Sequence, residues 1–289
     1  MSSLEVFGTN MDKFWQLCTR LERLDICVDR HVHVALPPGE YPNLKHLGVE
    51  GCYVRDVSFS TEFVQRFPHL TSISWRASPV PAFIFGLFKL LEAKALPNLE
   101  YLDTRTEEIT IAFLPDLVLD IVSDTIESSL AQVPMSSCPL LEKLFAPPVG
   151  ALVVTEGEPW VCLRLESLGL ALCFDPPSTV SRLQPLILDR LSKLTQLEDL
   201  WMMGHEGHNN LGAKVDLRLE NGLDKLSTLR LLRSLTLRDM IGRMGDAEVE
   251  WMLEHWKSLT FFSGALNTHN EAFNETLQER LKRGGIKVW

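Results

Sequence analysis

One alternation of apolar and polar positions recurs along the chain: apolar-x-x-Leu-x-x-apolar-x-apolar. It reads CTRLERLDI (18–26), YPNLKHLGV (41–49), FPHLTSISW (67–75), LPNLEYLDT (96–104), CPLLEKLFA (138–146), CLRLESLGL (162–170), LTQLEDLWM (194–202), LRLLRSLTL (229–237) and WKSLTFFSG (256–264). The last apolar position is relaxed to Thr104 and Gly264 in two of them. The closing apolar-x-apolar step has period two and predicts a short strand with one buried face. The first leucines are Leu21, Leu44, Leu70, Leu99, Leu141, Leu165, Leu197, Leu232 and Leu259, at intervals from 23 to 42 residues. A partial tenth copy opens the chain at Leu4 and Val6.

This is the leucine-rich-repeat signature L-x-x-L-x-L with an irregular period. One unit cannot bury its own apolar face, so the units are expected to stack. The predicted architecture is an α/β leucine-rich-repeat solenoid, a horseshoe of about nine to ten irregular repeats forming one domain over 1–289. Its parallel sheet lines the concave face, with helices and irregular arcs on the convex face. Return helices are expected at Ser60 to Arg66 and at Asp246 to Trp256, the latter with an acidic first turn and apolar residues at 249, 252, 253 and 256. The long interval between Leu99 and Leu141 predicts an acidic helical insertion over 105–137, centred on LPDLVLDIVSDTIESSLAQV (114–133). PPSTVSRLQPL (176–186) reads as a proline-rich loop before a return helix. Residues 270–289 read as a cap: a helix over Glu271 to Arg283, stopped by Gly284 and Gly285, then a last strand. The first repeat begins with no polar cap ahead of it, so a preceding segment or a poor self-made cap is expected.

Charge and chemistry narrow the functional classes. With 28 basic and 38 acidic residues the formal net charge is −10, which disfavours a nucleic-acid partner and an anionic membrane surface. Nine acidic residues between Glu107 and Glu158 face a single base, Lys143, so most of that charge lies in and around the insertion. There is no secretory signal pattern at the N-terminus, and a cytoplasmic or nuclear location is expected. Cys18, Cys138 and Cys162 occupy the apolar slot three residues before a leucine, so they read as small core residues in a reducing compartment. His205-Glu206-Gly207-His208 is one residue short of the zinc-helix spacing and reads as a polar turn. His31 and His33 read as a strand pair, not as a metal site. No nucleotide-binding, hydrolase or kinase motif is present, and neither catalytic residues nor a cofactor nor a metal is expected.

The open strand positions should form columns across the repeats. The residue after each leucine includes Glu100, Glu142 and Glu198; the next includes Tyr101, Asp199 and Phe261; the position between the two apolar residues includes Phe145 and Trp201. Aromatics surrounded by charge are common anchors of protein interfaces. Tyr101, Phe145, Trp201 and Phe261, with Glu100, Glu142, Glu198 and Asp199, are therefore the candidate partner-binding residues. Packing against neighbouring side chains is the alternative for the aromatics, and a polar habit of the repeat is the alternative for the glutamates.

The C-terminal run AEVEWMLEHWKSLTFFSGALNTHNEAFNETLQERLKRGGIKVW, with the P-x-L-E-x-L-x-L copies before it, resembles the leucine-rich-repeat region of fungal F-box/leucine-rich-repeat proteins. In that family an N-terminal F-box binds the Skp1 adaptor of a cullin-RING ubiquitin ligase and the repeats hold the substrate. No F-box is recognisable here. The resemblance implies a non-enzymatic substrate-recognition region with a protein on its concave face, and a Skp1-type adaptor as partner only if an F-box lies outside this chain. A free-standing leucine-rich-repeat adaptor and a small-GTPase regulator are the alternatives.

Overall fold

The computed structural model describes residues 3–6, 20–27, 40–53, 66–78, 87, 90, 91, 93–104, 132–151, 155, 158–174, 179–204, 215–238 and 242–289. The chain divides into two compact units, Met1–Pro147 and Pro148–Trp289. The predicted helices at 60–66 and 114–133 lie outside the described residues except at Arg66, 132 and 133. The histidines at 31, 33, 205 and 208 also lie outside them.

Each repeat from Tyr41 onward starts with a tight turn. The amide of the first leucine donates to the carbonyl three residues earlier, as in Leu44 to Tyr41 (3.1 Å), Leu99 to Leu96 (3.3 Å), Leu165 to Cys162 (3.1 Å) and Leu197 to Leu194 (3.0 Å). That bond closes a β-turn and folds both apolar side chains inward. The next amide then reaches the preceding repeat: Lys45 donates to the Glu22 carbonyl at 2.8 Å, Glu142 to Glu100 at 2.8 Å and Arg233 to Glu198 at 2.7 Å. Thus the signature encodes a turn, a link to the neighbouring repeat, and a strand.

In the first unit the strands are β1 (Ser3–Val6), β2 (Arg23–Cys27), β3 (His46–Tyr53), β4 (Ser72–Ser78), β5 (Tyr101–Asp103) and β6 (Lys143–Gly150), whose last residues belong to the second unit. Neighbours in sequence are neighbours in the sheet, and all are parallel. The register aligns Leu24, Leu47, Ile73, Leu102 and Leu144. All five are buried, as are Tyr41, Leu44, Phe67, Leu70, Leu99 and Leu141 beneath them. Tyr41 and Phe67 stack with ring centroids 5.5 Å apart, two successive occupants of the slot before the leucine. Cys138 fills that slot two repeats on; burial pushes its thiol pKa up to about 12, so it stays protonated and inert. Ahead of it is the short helix α1 (Gln132–Ser137).

The second unit has β7 (Ser167–Cys173), β8 (Asp199–Gly204), β9 (Ser234–Arg238), β10 (Phe261–Gly264) and β11 (Lys287–Val288), again parallel and in chain order. Leu168, Leu200, Leu235 and Phe262 align in register and are buried. Its return segments differ from one another: helix α2 (Val180–Leu191), two 3₁₀ turns (Leu219–Asn221 and Leu223–Thr228), helix α3 (Asp246–His255) and helix α4 (Glu271–Arg283). Each unit is a stack of leucine-rich repeats.

The proline-rich loop expected over 176–186 is a correction. Helix α2 starts at Val180 and runs through Pro185. Proline removes one helical hydrogen bond, but Leu183, Ile187, Leu188 and Leu191 form a buried stripe that holds the helix regardless. The buried Gln184 fastens it to the next return segment, donating to the carbonyls of Asp216 (2.6 Å) and Asn221 (3.1 Å) and accepting from the Asp216 amide (2.9 Å). Helices α3 and α4 fall where their patterns place them. The Glu248 carboxylate accepts from the Gly245 amide at 2.8 Å and from Leu219 at 3.1 Å, while Asn270 caps α4 by accepting from the Phe273 amide at 3.0 Å. Arg280 ties the two helices together, pairing with Asp246 and with Glu250 at 2.8 Å.

Candidate functional site

The open side of each strand carries the columns expected from the sequence. In the first unit Arg23, His46, Ser72, Tyr101 and Lys143 are in register, and two residues on so are Asp25, Gly48, Ser74, Asp103 and Phe145. In the second unit the corresponding rows are Ser167, Asp199, Ser234, Phe261 and Lys287, then Gly169, Trp201, Thr236 and Ser263. Five of the candidate residues, Tyr101, Phe145, Asp199, Trp201 and Phe261, stand in these rows. Their surroundings are not uniform.

Three of the four aromatics are half-buried: Tyr101 and Phe145 in the first unit and Phe261 in the second. Asp103, on the open row between Ser74 and Phe145, is 0% exposed and accepts a 3.3 Å hydrogen bond from the Tyr101 hydroxyl. Asp103 is thus covered and Tyr101 serves partly to satisfy its buried carboxylate, while Lys143, in register with Tyr101, is exposed. Trp201 differs, with 37% of its surface exposed in the middle of β8. Its register neighbours are Gly169, which has no side chain to cover the indole, and Thr236.

Around Trp201 the polar positions are tied to one another. Asp199 accepts from the Ser167 hydroxyl at 3.1 Å. Glu198 pairs with Arg233 at 3.4 Å, with the arginine side chain 63% exposed. Exposed pairs of this kind stabilise by only about 0.2–1 kcal/mol; they orient carboxylates more than they hold the fold. In the first unit Glu22 and Lys45 form the equivalent pair at 3.6 Å. The glutamates at 100 and 142 occupy the same row, Glu100 exposed and Glu142 half-buried.

The structure also assembles a cluster that no stretch of sequence announces. Across β2, β3 and β4, Arg23 donates to Asp25 through Nε (2.5 Å) and Nη2 (3.3 Å). The other contact of Asp25 is His46 Nε2 at 3.0 Å, and His46 Nδ1 lies 2.6 Å from the Ser72 hydroxyl. An ionised carboxylate only accepts, so Nε2 carries the proton; Nδ1 of the neutral ring then accepts from Ser72. Gly48 is what permits the Asp25–His46 contact. A Cβ at that position would stand 2.2 Å from the Asp25 Oδ1. The three side chains come from positions 21 and 26 residues apart, which explains why local motif reading misses them. A search for His, Asp and Ser within the open columns would have found the set.

Burial and the Arg23 charge depress the His46 pKa, and the opposing pull of Asp25 does not restore it. For Asp25, burial pushes upward, but the Arg23 hydrogen bond and His46 outweigh it and the net direction is down. A histidine depressed in the fold binds fewer protons than in the unfolded chain, so its contribution to stability is present above about pH 6.5 and is lost on acidification through the folded value. Since Asp25 pulls the His46 value upward, Asp25→Asn is expected to move the His46 midpoint further down. Titration of the His46 ring proton by NMR measures this; an upward move would show that Asp25 does not act on the ring.

Among the described residues no group of three His, Cys, Asp or Glu is arranged to hold a metal, and no helix is long and apolar enough to cross a membrane. No protein-family profile matches the chain, and no curated protein matches it. Among solved structures, an internalin from Listeria monocytogenes aligns over 97% of this chain and 70% of its own, at 13% identity and a TM-score of 0.47. A leucine-rich-repeat protein from Leptospira interrogans aligns over 100% of this chain and 90% of its own, at 13% identity and a TM-score of 0.28. The leucine-rich-repeat description rests on the chain's own strand register and buried leucine rows.

Proposed function

We propose that the chain is a protein-binding repeat module whose open strand face in the second unit docks a partner around Trp201. The observation that carries this reading is the 37% exposure of that indole on the open side of β8, whereas Phe261, on the other open row of the same unit, is half-buried. A large aromatic held on a rigid strand loses little entropy on binding and offers both apolar area and a π face, the usual make-up of an energetic anchor. Glu198 and Asp199 beside it supply charge that would favour a basic or hydrogen-bond-donating partner segment. Phe261 belongs to the same face of the second unit, and Tyr101, Phe145, Glu100 and Glu142 are proposed as a separate contact surface of the first unit.

The resemblance to the repeat region of fungal F-box proteins extends the reading to substrate recognition for a ubiquitin ligase. Under it, the partner at Trp201 is the ligase substrate, and a Skp1-type adaptor is bound by an F-box elsewhere in the protein. Affinity purification of the natural full-length protein from its own cells, with mass spectrometry, tests both levels. Recovery of Skp1 and a cullin supports the ligase assignment; their absence with other partners retained leaves the free-standing adaptor. Trp201→Ala is expected to weaken the retained partner at least tenfold, with an unchanged melting midpoint, since anchor residues contribute about 2 kcal/mol or more. Unaltered capture by Trp201→Ala would remove the open face of β8 from the binding surface.

A further inference from the structure

We propose that Ser72 is an activated nucleophile, with His46 as its general base and Asp25 as the group that positions the base, and that this site accepts acyl groups from activated esters and thioesters. The arrangement meets the geometric requirement for nucleophilic catalysis: nucleophile and base within hydrogen-bond reach, and the base oriented by a third group. Ser72 Oγ is 2.6 Å from His46 Nδ1, and His46 Nε2 is 3.0 Å from Asp25. Each member stands on a strand of the same parallel sheet, so the backbone ladder fixes their spacing. Arg23 grips both oxygens of Asp25 and keeps its carboxylate from turning away. The missing side chain at Gly48 opens the gap through which Asp25 reaches the ring.

The protonation states agree with that role. Groups facing His46 are Arg23 and Asp25 on β2 and Ser72 on β4, with Tyr101 of β5 next in the row. Burial and Arg23 keep the ring neutral at physiological pH, which a base requires. In the reaction, Ser72 Oγ bonds to the acyl carbon as its proton passes to His46 Nδ1. The bond from that carbon to the leaving oxygen or sulfur then breaks, and His46 returns the proton to the leaving group. Water releases the acyl group by the same steps in reverse.

The surroundings also limit the chemistry. Both nearby amides, Thr71 and Ser72, donate to the Lys45 carbonyl at 2.8 and 2.9 Å, so this pair supplies no oxyanion donor. The gain is that of general-base catalysis alone, about 10²–10⁴-fold. That suffices for esters with good leaving groups and not for amides.

Ser74 provides an internal control. It lies on the same strand and the same face, and tryptic cleavage places both serines in the peptide 67–76. The intact chain is treated with p-nitrophenyl acetate and the peptide mapped by mass spectrometry over time. Acetylation of Ser72 is expected about 100-fold faster than that of Ser74, rising with pH and levelling off below pH 6.5 as His46 loses its proton. His46→Gln should bring Ser72 down to the Ser74 rate, and Asp25→Asn should lower it several-fold, with folding checked by circular dichroism. Equal rates at the two serines in the unaltered chain, acetyl on His46 in place of Ser72, or a Ser72 rate unaffected in folded His46→Gln would each overturn the proposal. The ratio and the pH profile in the unaltered chain decide the matter even if the variants unfold.

Discussion

Replacing Trp256 by alanine is expected to destabilise the second unit by about 3–5 kcal/mol, the range for emptying a buried tryptophan site. Trp256 occupies the apolar slot of its repeat and is 2% exposed. Its indole Nε1 donates to the Leu226 carbonyl at 3.0 Å, joining the segment between α3 and β10 to the 3₁₀ turn ahead of β9. Its ring meets Trp251 edge-on, with centroids 5.1 Å apart. Alanine leaves a cavity and removes one of the two hydrogen bonds that the Leu226 carbonyl accepts, the other coming from the Leu229 amide at 3.0 Å. Trp256→Phe keeps much of the volume and loses the hydrogen bond, so a smaller cost is expected. The difference between the two variants in urea unfolding separates packing from hydrogen bonding. A cost below about 1 kcal/mol for Trp256→Ala would contradict the burial described here.

The second large effect is expected at Gly264, at the end of β10. Its φ is +129°, and a Cβ built there would lie 2.1 Å from the Leu237 carbonyl oxygen on β9. The obstacle is backbone, which cannot swing aside as a side chain can. Alanine must pay conformational strain of about 1–3 kcal/mol, and it must push β10 away from its register partner Leu237. That movement also breaks the 3.2 Å bond from the Gly264 amide to the Trp289 carbonyl, which anchors the last strand. Gly264→Ala should therefore lower stability by about 3 kcal/mol or more, with early amide exchange at Trp289, whose N–H normally donates to Phe262 at 3.0 Å. A variant that keeps Trp289 protected would show that β10 tolerates the side chain.

Much of the fold was legible because the repeat signature is a local code. The apolar residue three before each leucine closes its turn through a single backbone bond, so its identity and spacing are visible in a nine-residue window. Cys138 and Cys162 were recognisable as core for the same reason: they stand where other copies have Tyr41 or Phe67. Helix α4 and its stop at Gly284 and Gly285 carried their own capping signals. Helix α2 was misread because Pro185 is a local breaker, while the stripe that overrides it acts through burial against residues of other repeats.

For the candidate site the division is sharper. Rows of open positions follow from the period-two alternation, and within each unit the parallel register aligns the described strand positions as expected. Which aromatics reach solvent did not follow, since exposure depends on what the neighbouring repeats place alongside. Trp201 has Gly169 at its side, whereas Asp103 is wholly buried on what the alternation marks as an open row. Asp25, His46 and Ser72 illustrate the same limit. By itself the sequence determined that repeats exist, where each strand begins and which side chains point inward, because those are settled by contacts a few residues apart. Only the tertiary structure decided which outward side chains meet one another, because stacking brings residues from different repeats within 3 Å and their hydrogen bonds, desolvation and charge act across that gap.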